Sequence, residues 1–164
     1  MPTKETGKLK VAAQGDREIV MTREFNAPKT MLLDAWTKPE LVTRWLAGPD
    51  GWTMTMCDIN LQVGGSYRYE WSHRNGQKMG MGGVYREIVP AERIVATEKF
   101  DESWYPGGAI VTTRLNEKGG ITTVETTVTY DSAEARDGVL RSPMESGMAL
   151  GYDRLEKMLA ENFA

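Results

Sequence analysis

The chain has 164 residues, room for one domain with a core and too little for two. Lys plus Arg number 20 and Asp plus Glu 23, a net charge of −3, which argues against nucleic acid or an anionic membrane as the main partner. One cysteine, Cys57, and one histidine, His73, exclude an internal disulfide, a cysteine-based zinc cluster and a paired-histidine metal site within one chain.

Residues 1–16 are polar and carry no apolar h-region, so a flexible polar tail is expected there, with no signal peptide. A single domain is expected over 17–164, with no membrane span, cofactor or metal, and with cytoplasmic location as the default. Residues 17–25 predict a first strand, with Ile19, Met21 and Phe25 on one parity and Arg23 interrupting it. Asn26-Ala27-Pro28 starts a helix in which Leu32, Ala35 and Trp36 recur at helical spacing. Thr37-Lys38-Pro39-Glu40 reads as a second start, with Thr as cap, Pro in the first turn and Glu three residues after the cap. Leu41, Val42 and Trp45 form its apolar face, and Gly48-Pro49-Asp50-Gly51 ends it.

From 52 to 130 the period changes to two. Trp52, Met54 and Met56 alternate with Thr53, Thr55 and Cys57, and Gly64-Gly65 marks a turn or bulge. Tyr67, Tyr69 and Trp71 alternate with Arg68 and Glu70. Burying that charged pair would cost far more than burying the aromatics, so the aromatics should face inward. Asn75-Gly76 predicts a type I′ hairpin. Strands follow at about 78–89 and 93–100, then a longer loop over 103–108 and a last hairpin turned at 116–120. Val124, Thr126, Val128 and Tyr130 share one face of the last strand. Short connections between neighbours imply an antiparallel meander.

Asp131 or Ser132 can cap a short helix through about 140. Ser142-Pro143-Met144-Glu145 then predicts one continuous helix over 143–162, capped by Ser142. Met144, Met148, Leu155 and Leu159, with Gly147 and Gly151, share its broad face. The two glycines fit either close packing on the sheet or room for a ligand. The fold class is α+β: a curved antiparallel sheet around a long C-terminal helix, with two short helices after the first strand. A sheet wrapped around one helix leaves interior space unless large side chains fill it.

This order of elements, carried by Arg23-Glu24-Phe25-Asn26-Ala27-Pro28, Ala35-Trp36-Thr37-Lys38-Pro39-Glu40, Arg44-Trp45, Gly48-Pro49, Val63-Gly64-Gly65, Gly83-Val84-Tyr85, Pro90-Ala91-Glu92-Arg93-Ile94 and the run from Gly147 to Leu155, resembles the helix-grip fold of the START and birch-pollen-allergen (SRPBCC) superfamily. Within it the chain is most similar to the homologues of the heat-shock-protein-90 ATPase activator. Where that family usually has Asp and Arg before the glycine pair, this chain has Asn60 and Gln62. The resemblance implies the fold. The superfamily it points to spans lipid carriers, hormone receptors, cyclases and chaperone regulators.

Few residues invite covalent chemistry. Met79-Gly80-Met81-Gly82-Gly83 lies in a strand and lacks the Lys-Ser/Thr of a phosphate loop, so close packing of that strand is the better reading. His73, beside a turn, reads as exposed and idle. Cys57, opposite Met54 and Met56, reads as an inert half-buried thiol. Glu98 shares parity with Ile94, Ala96 and Phe100. If that face turns inward, Glu98 is a carboxyl raised by desolvation that could orient a ligand or act as an acid or base. If the strand twists or bulges, Glu98 reaches solvent, and the rarity of unpaired buried Glu favours that second outcome.

The chain holds 10 Met and 5 Trp, a soft and bulky inventory suited to an irregular cavity wall. The residues expected to line such a cavity are Trp45, Met54, Met56, Tyr67, Tyr69, Trp71, Met81, Tyr85, Glu98, Met144, Met148 and Tyr152. The expected function is binding of a small hydrophobic or amphipathic molecule between sheet and C-terminal helix, without catalysis. Regulation of a chaperone ATPase is the first alternative and is not favoured for a single domain. A cyclase- or hydrolase-type enzyme using the Glu98 carboxylate is the second.

Overall fold

The period-two stretch and the first strand join into one eight-stranded antiparallel sheet in the computed structural model, which describes residues 8–103 and 105–163. In chain order the elements are β1 (Lys10–Gln14), β2 (Glu18–Phe25), α1 (Lys29–Thr37), α2 (Pro39–Trp45), β3 (Trp52–Ile59), β4 (Ser66–His73), β5 (Lys78–Val89), β6 (Arg93–Phe100), β7 (Ala109–Lys118), β8 (Ile121–Tyr130), α3 (Ala133–Leu140) and α4 (Met144–Ala160). The order across the sheet is β1-β2-β8-β7-β6-β5-β4-β3. Thus β3 to β8 form the expected meander, and α1 and α2 carry the chain from β2 to the far edge. The architecture is the α+β helix grip.

The expected tail is shorter than 1–16. Residues 10–14 pair with β2, with Val11 opposite Met21 and Ala13 opposite Ile19. Val11, Ala12 and Ala13 are too few to announce a strand in sequence, but a hairpin neighbour suffices to hold them. The remainder of that expectation, residues 1–7, lies outside the described residues.

β2 and β8 alternate strictly, every second residue buried. Arg23 follows the rule rather than breaking it. It is 4% exposed, and its guanidinium donates to Asp153 at 2.9 Å and Glu156 at 3.0 Å, both on α4. A charge turned inward here clasps the sheet to the helix. Beyond it, Tyr152 of α4 packs its ring against Phe25, Trp36 and Trp45 at 5.6–5.9 Å. Leu155, Met158 and Leu159 complete this end of the core.

α4 is continuous through Gly147 and Gly151, as expected, but its cap is not. Ser142 donates to the Val139 carbonyl at 2.5 Å and accepts only weakly from Met144 N at 3.3 Å, and Pro143 occupies the cap position. Thr37 behaves alike: its hydroxyl donates to the Leu33 carbonyl at 2.7 Å, and α2 begins after Lys38 with no side-chain cap. In both places one helix ends where the next begins, so the hydroxyl is captured by an orphan carbonyl behind it. Ser132 has no helix behind it, and it does cap, accepting from Ala135 N at 3.1 Å.

Three turns and irregularities correct the strand reading. The register of β3 slips between Met54 and Met56. This bulge puts Met54 in the core and Met56 outside at 37% exposure, and turns Cys57 toward the cluster around Tyr67. Asn75-Gly76 is not a type I′ turn: Gly76 has φ +97° but Asn75 is not left-handed, and His73 N bonds to Gln77 O around a three-residue loop. The two-residue turn with both φ positive is Gly119-Gly120, at +58° and +79°. His73 is half-buried, edge-on to Trp52 at 5.2 Å between ring centroids, with Nδ1 accepting from Asn75 N. The glycine-rich β5 is closely packed, since a Cβ on Gly83 would collide with the Thr97 carbonyl of β6.

Candidate functional site

The inner face of the sheet does not meet α4 along its whole length. The C-terminal half of the helix is buried, whereas Gly147 is exposed and Met144 and Met148 are only half-buried. A cavity of about 370 Å³ lies between this half, the Gly48-Pro49 loop and the strands. The two α4 glycines differ. A Cβ on Gly151 would stand 3.1 Å from the Trp45 carbonyl oxygen, so this glycine serves close packing on α2. A Cβ on Gly147 would meet nothing within 4 Å, so this one borders open space.

Trp45, Tyr67, Tyr69, Trp71, Met81, Tyr85, Glu98, Met144, Met148 and Tyr152 line the cavity. Met54 is buried behind the wall, and Met56 faces outward because of the β3 bulge. β4 supplies the parity expected of it. Its aromatics turn in, while Arg68 stays outside, donating to Glu70 at 2.8 Å and to Asp101 through both terminal nitrogens.

Several aromatics are fixed by bonds leading away from the cavity. The Trp45 indole donates to Ala35 O at 2.9 Å, the Trp71 indole to Leu46 O at 2.7 Å and the Tyr67 phenol to Thr97 O at 2.6 Å. Their rings are left as apolar wall. Around them the rings continue in contact, Tyr67 with Tyr69 at 5.2 Å and with Tyr85 at 5.4 Å, and Tyr105 with Tyr130 at 5.3 Å.

Glu98 faces inward, half-buried on the cavity wall, against the expectation that a twist or bulge turns it to the outer surface. The register slip that could have rotated it falls in β5, between Tyr85 and Glu87, and β6 alternates regularly. Ile94, Ala96, Glu98 and Phe100 all line the cavity. Burial alone pushes the Glu98 carboxyl up to about 7. No described residue hydrogen-bonds to it or forms an ion pair with it. Burial, and after it the charge of Glu98, hold the phenols of Tyr67, Tyr105 and Tyr130 above their ordinary range. Burial raises Tyr69 as well, with smaller contributions from Glu98 and other neighbours. Cys57 is raised to about 11, by burial first and then by Asp58 and Glu40, so it is a protonated, poor nucleophile.

Sequence reasoning missed Tyr105 and Arg154, and it turned Tyr130 inward without assigning it to the site. Tyr105 sits in a loop, where no period reports direction. Arg154 shares the α4 face of Gly147 and Gly151, but a search for apolar spacing passes over it. It lines the cavity and donates to Gly48 O at 2.5 Å. Among the described residues no cluster of three or more His, Cys, Asp or Glu could hold a metal, and no helix is long and apolar enough to cross a membrane.

Among curated proteins none matches the chain. Solved structures do. A protein from Rhodobacter sphaeroides is 31% identical, with TM-score 0.89 over 94% of this chain and 99% of that one. One from Staphylococcus epidermidis is 27% identical, with TM-score 0.79 over 93% and 94%. The AHSA1-like protein from Aeromonas hydrophila, at 17% identity and TM-score 0.68 over 88% and 95%, shares the fold. The family described as Activator of Hsp90 ATPase homolog 1-like protein matches residues 26–160, most of the chain and every element from α1 to α4, and the chain belongs to that family.

Proposed function

We propose that the protein binds a small apolar or amphipathic molecule in the cavity between the sheet and the N-terminal half of α4. The observation that carries this reading is the cavity itself, about 370 Å³ with walls of aromatic, methionine and aliphatic side chains and with Glu98 and Arg154 as its charged residues. Sites for small molecules have this size and lining. Gly147 lines this space and adds no side chain to fill it.

Met148→Trp tests it. In a solid core the larger side chain overpacks and typically costs about 1–3 kcal/mol. In the cavity it is accommodated at lower cost and blocks an environment-sensitive apolar dye. A variant that unfolds readily, together with a wild type that binds no dye, refutes the reading.

The family's name points to a chaperone ATPase as a second partner. The sites before the glycine pair are the uncharged Asn60 and Gln62. The expected result is therefore no strong stimulation when equimolar protein is added to the chaperone. A robust rise in ATP turnover overturns this expectation. A cytoplasmic location fits both readings.

A further inference from the structure

We infer that the ligand carries a cationic nitrogen, an ammonium on a small apolar body, seated against Glu98 inside the ring of tyrosines. This inference rests on the cavity being a ligand site, and it names what that site selects.

The first support is the isolation of Glu98. Its strand neighbours on the cavity face are Ala96 and Phe100, and no described residue bonds to its carboxyl. Two buried arginines are already engaged, Arg23 with Asp153 and Glu156 and Arg136 with Asp137 and the Gly15 and Glu18 carbonyls. Arg154 lines the same cavity, but its Nη1 is held at the Gly48 carbonyl, on the α2–β3 loop. No cation among the described residues acts on Glu98, and burial is what raises it. A carboxyl so placed lacks the partner that would let it ionise.

The second support is what surrounds it. The phenols of Tyr67, Tyr69, Tyr105 and Tyr130 are close enough to feel its charge. All four line the same cavity, and a tyrosine ring attracts a cation placed over its face, more strongly where water is excluded. An acidic ligand would add a second anion beside Glu98. A neutral one would leave the carboxyl protonated and without counter-charge. An ammonium satisfies carboxylate and rings together. Because Glu98 stands near 7, the ligand's charge need lower it only modestly to ionise it at neutral pH.

Benzyltrimethylammonium and its neutral carbon isostere neopentylbenzene separate the possibilities, titrated by calorimetry into wild type and Glu98→Gln. The expected result is a loss of at least about tenfold for the ammonium in the variant, with the isostere changed less than about twofold. A second readout uses wild type alone, at pH 6 in buffers of differing protonation enthalpy. The quaternary nitrogen cannot titrate, so binding should expel a substantial part of a proton from Glu98, at most about 0.9, whereas the isostere should expel none. The other titratable groups on the cavity wall are Tyr67, Tyr69, Tyr85, Tyr105, Tyr130, Tyr152 and Arg154. The tyrosines are all raised and keep their protons at pH 6. If both probes bind but the ammonium neither depends on Glu98 nor releases a proton, the ammonium inference falls and the cavity reading stands. If neither probe binds wild type, both fall.

Discussion

Replacing Glu98 with Gln should make the protein more stable at pH 8 and leave it nearly unchanged at pH 4.5. A carboxyl at 4.5 in the unfolded chain stands at about 7 in the fold, raised by burial. Below 4.5 both states hold the proton, and the acid resembles the amide in size and charge. Between 4.5 and about 7 the unfolded chain releases its proton while the folded chain keeps it, so stability falls as pH rises. Above about 7 the folded state ionises too, and the penalty is constant. Moving a carboxyl across that interval corresponds to about 3 kcal/mol. This is an upper value, because water admitted to the cavity relieves part of the desolvation. The assay is urea unfolding followed by tryptophan fluorescence, wild type against variant, at half-unit steps from pH 4.5 to 8. Titrations elsewhere are common to both proteins and cancel in the difference. Two parallel stability profiles would refute the reasoning, since they would place Glu98 in a water-like setting. A variant losing stability as pH rises relative to wild type would refute it more sharply, since it would require a cation beside Glu98.

Ser132→Ala should cost about 1 kcal/mol, as removal of a true helix cap does, and Ser142→Ala less than half of that, because Ser142 is engaged with Val139 behind it; thermal melts of the two variants compare them, and equal losses would refute the assignment. Gly147→Ala should stabilise α4 by up to about 1 kcal/mol, since a methyl there meets nothing, whereas Gly151→Ala should gain nothing or lose, since its methyl presses on the Trp45 carbonyl; denaturant midpoints in the reverse order would refute the different roles given to the two glycines.

The fold was legible because its signals are redundant. β8 shows the alternation over its whole length and β5 and β6 run where the pattern puts them, so one misread residue changes nothing. Signals that rest on one residue failed where tertiary structure could compete. Thr37 and Ser142 have capping spacing, yet each finds a carbonyl in the helix behind it. Met56 has inward parity, yet a single slipped residue reverses it, because side chains alternate with a period of two. Glu98 is the converse case. The parity pointed inward and the general rarity of unpaired buried acids pointed outward, and the local pattern prevailed. Arg154 was illegible for another reason: an inward arginine on an otherwise small-residue face has no periodic signature of its own.

The construction of the wall bears on how the site can work. Buried Trp and Tyr side chains need a partner for their polar ends, and a ligand could supply it or the protein could. Here Trp45, Trp71 and Tyr67 send those ends to Ala35, Leu46 and Thr97 carbonyls behind the wall. Their rings are thereby held in place with nothing bound. The tight end of the core, with Tyr152 packed among Phe25, Trp36 and Trp45, anchors α4 at its far half. The near half can then stand off from the sheet without the fold closing over the gap. A site formed in advance loses little conformational freedom on binding, so even a small ligand with one polar anchor can be held. Among the described residues, no hydrogen bond or ion pair holds the Glu98 carboxyl on this wall. With Trp45, Trp71 and Tyr67 bonded behind the wall, the selectivity of the cavity rests on that one carboxyl and on the phenols around it.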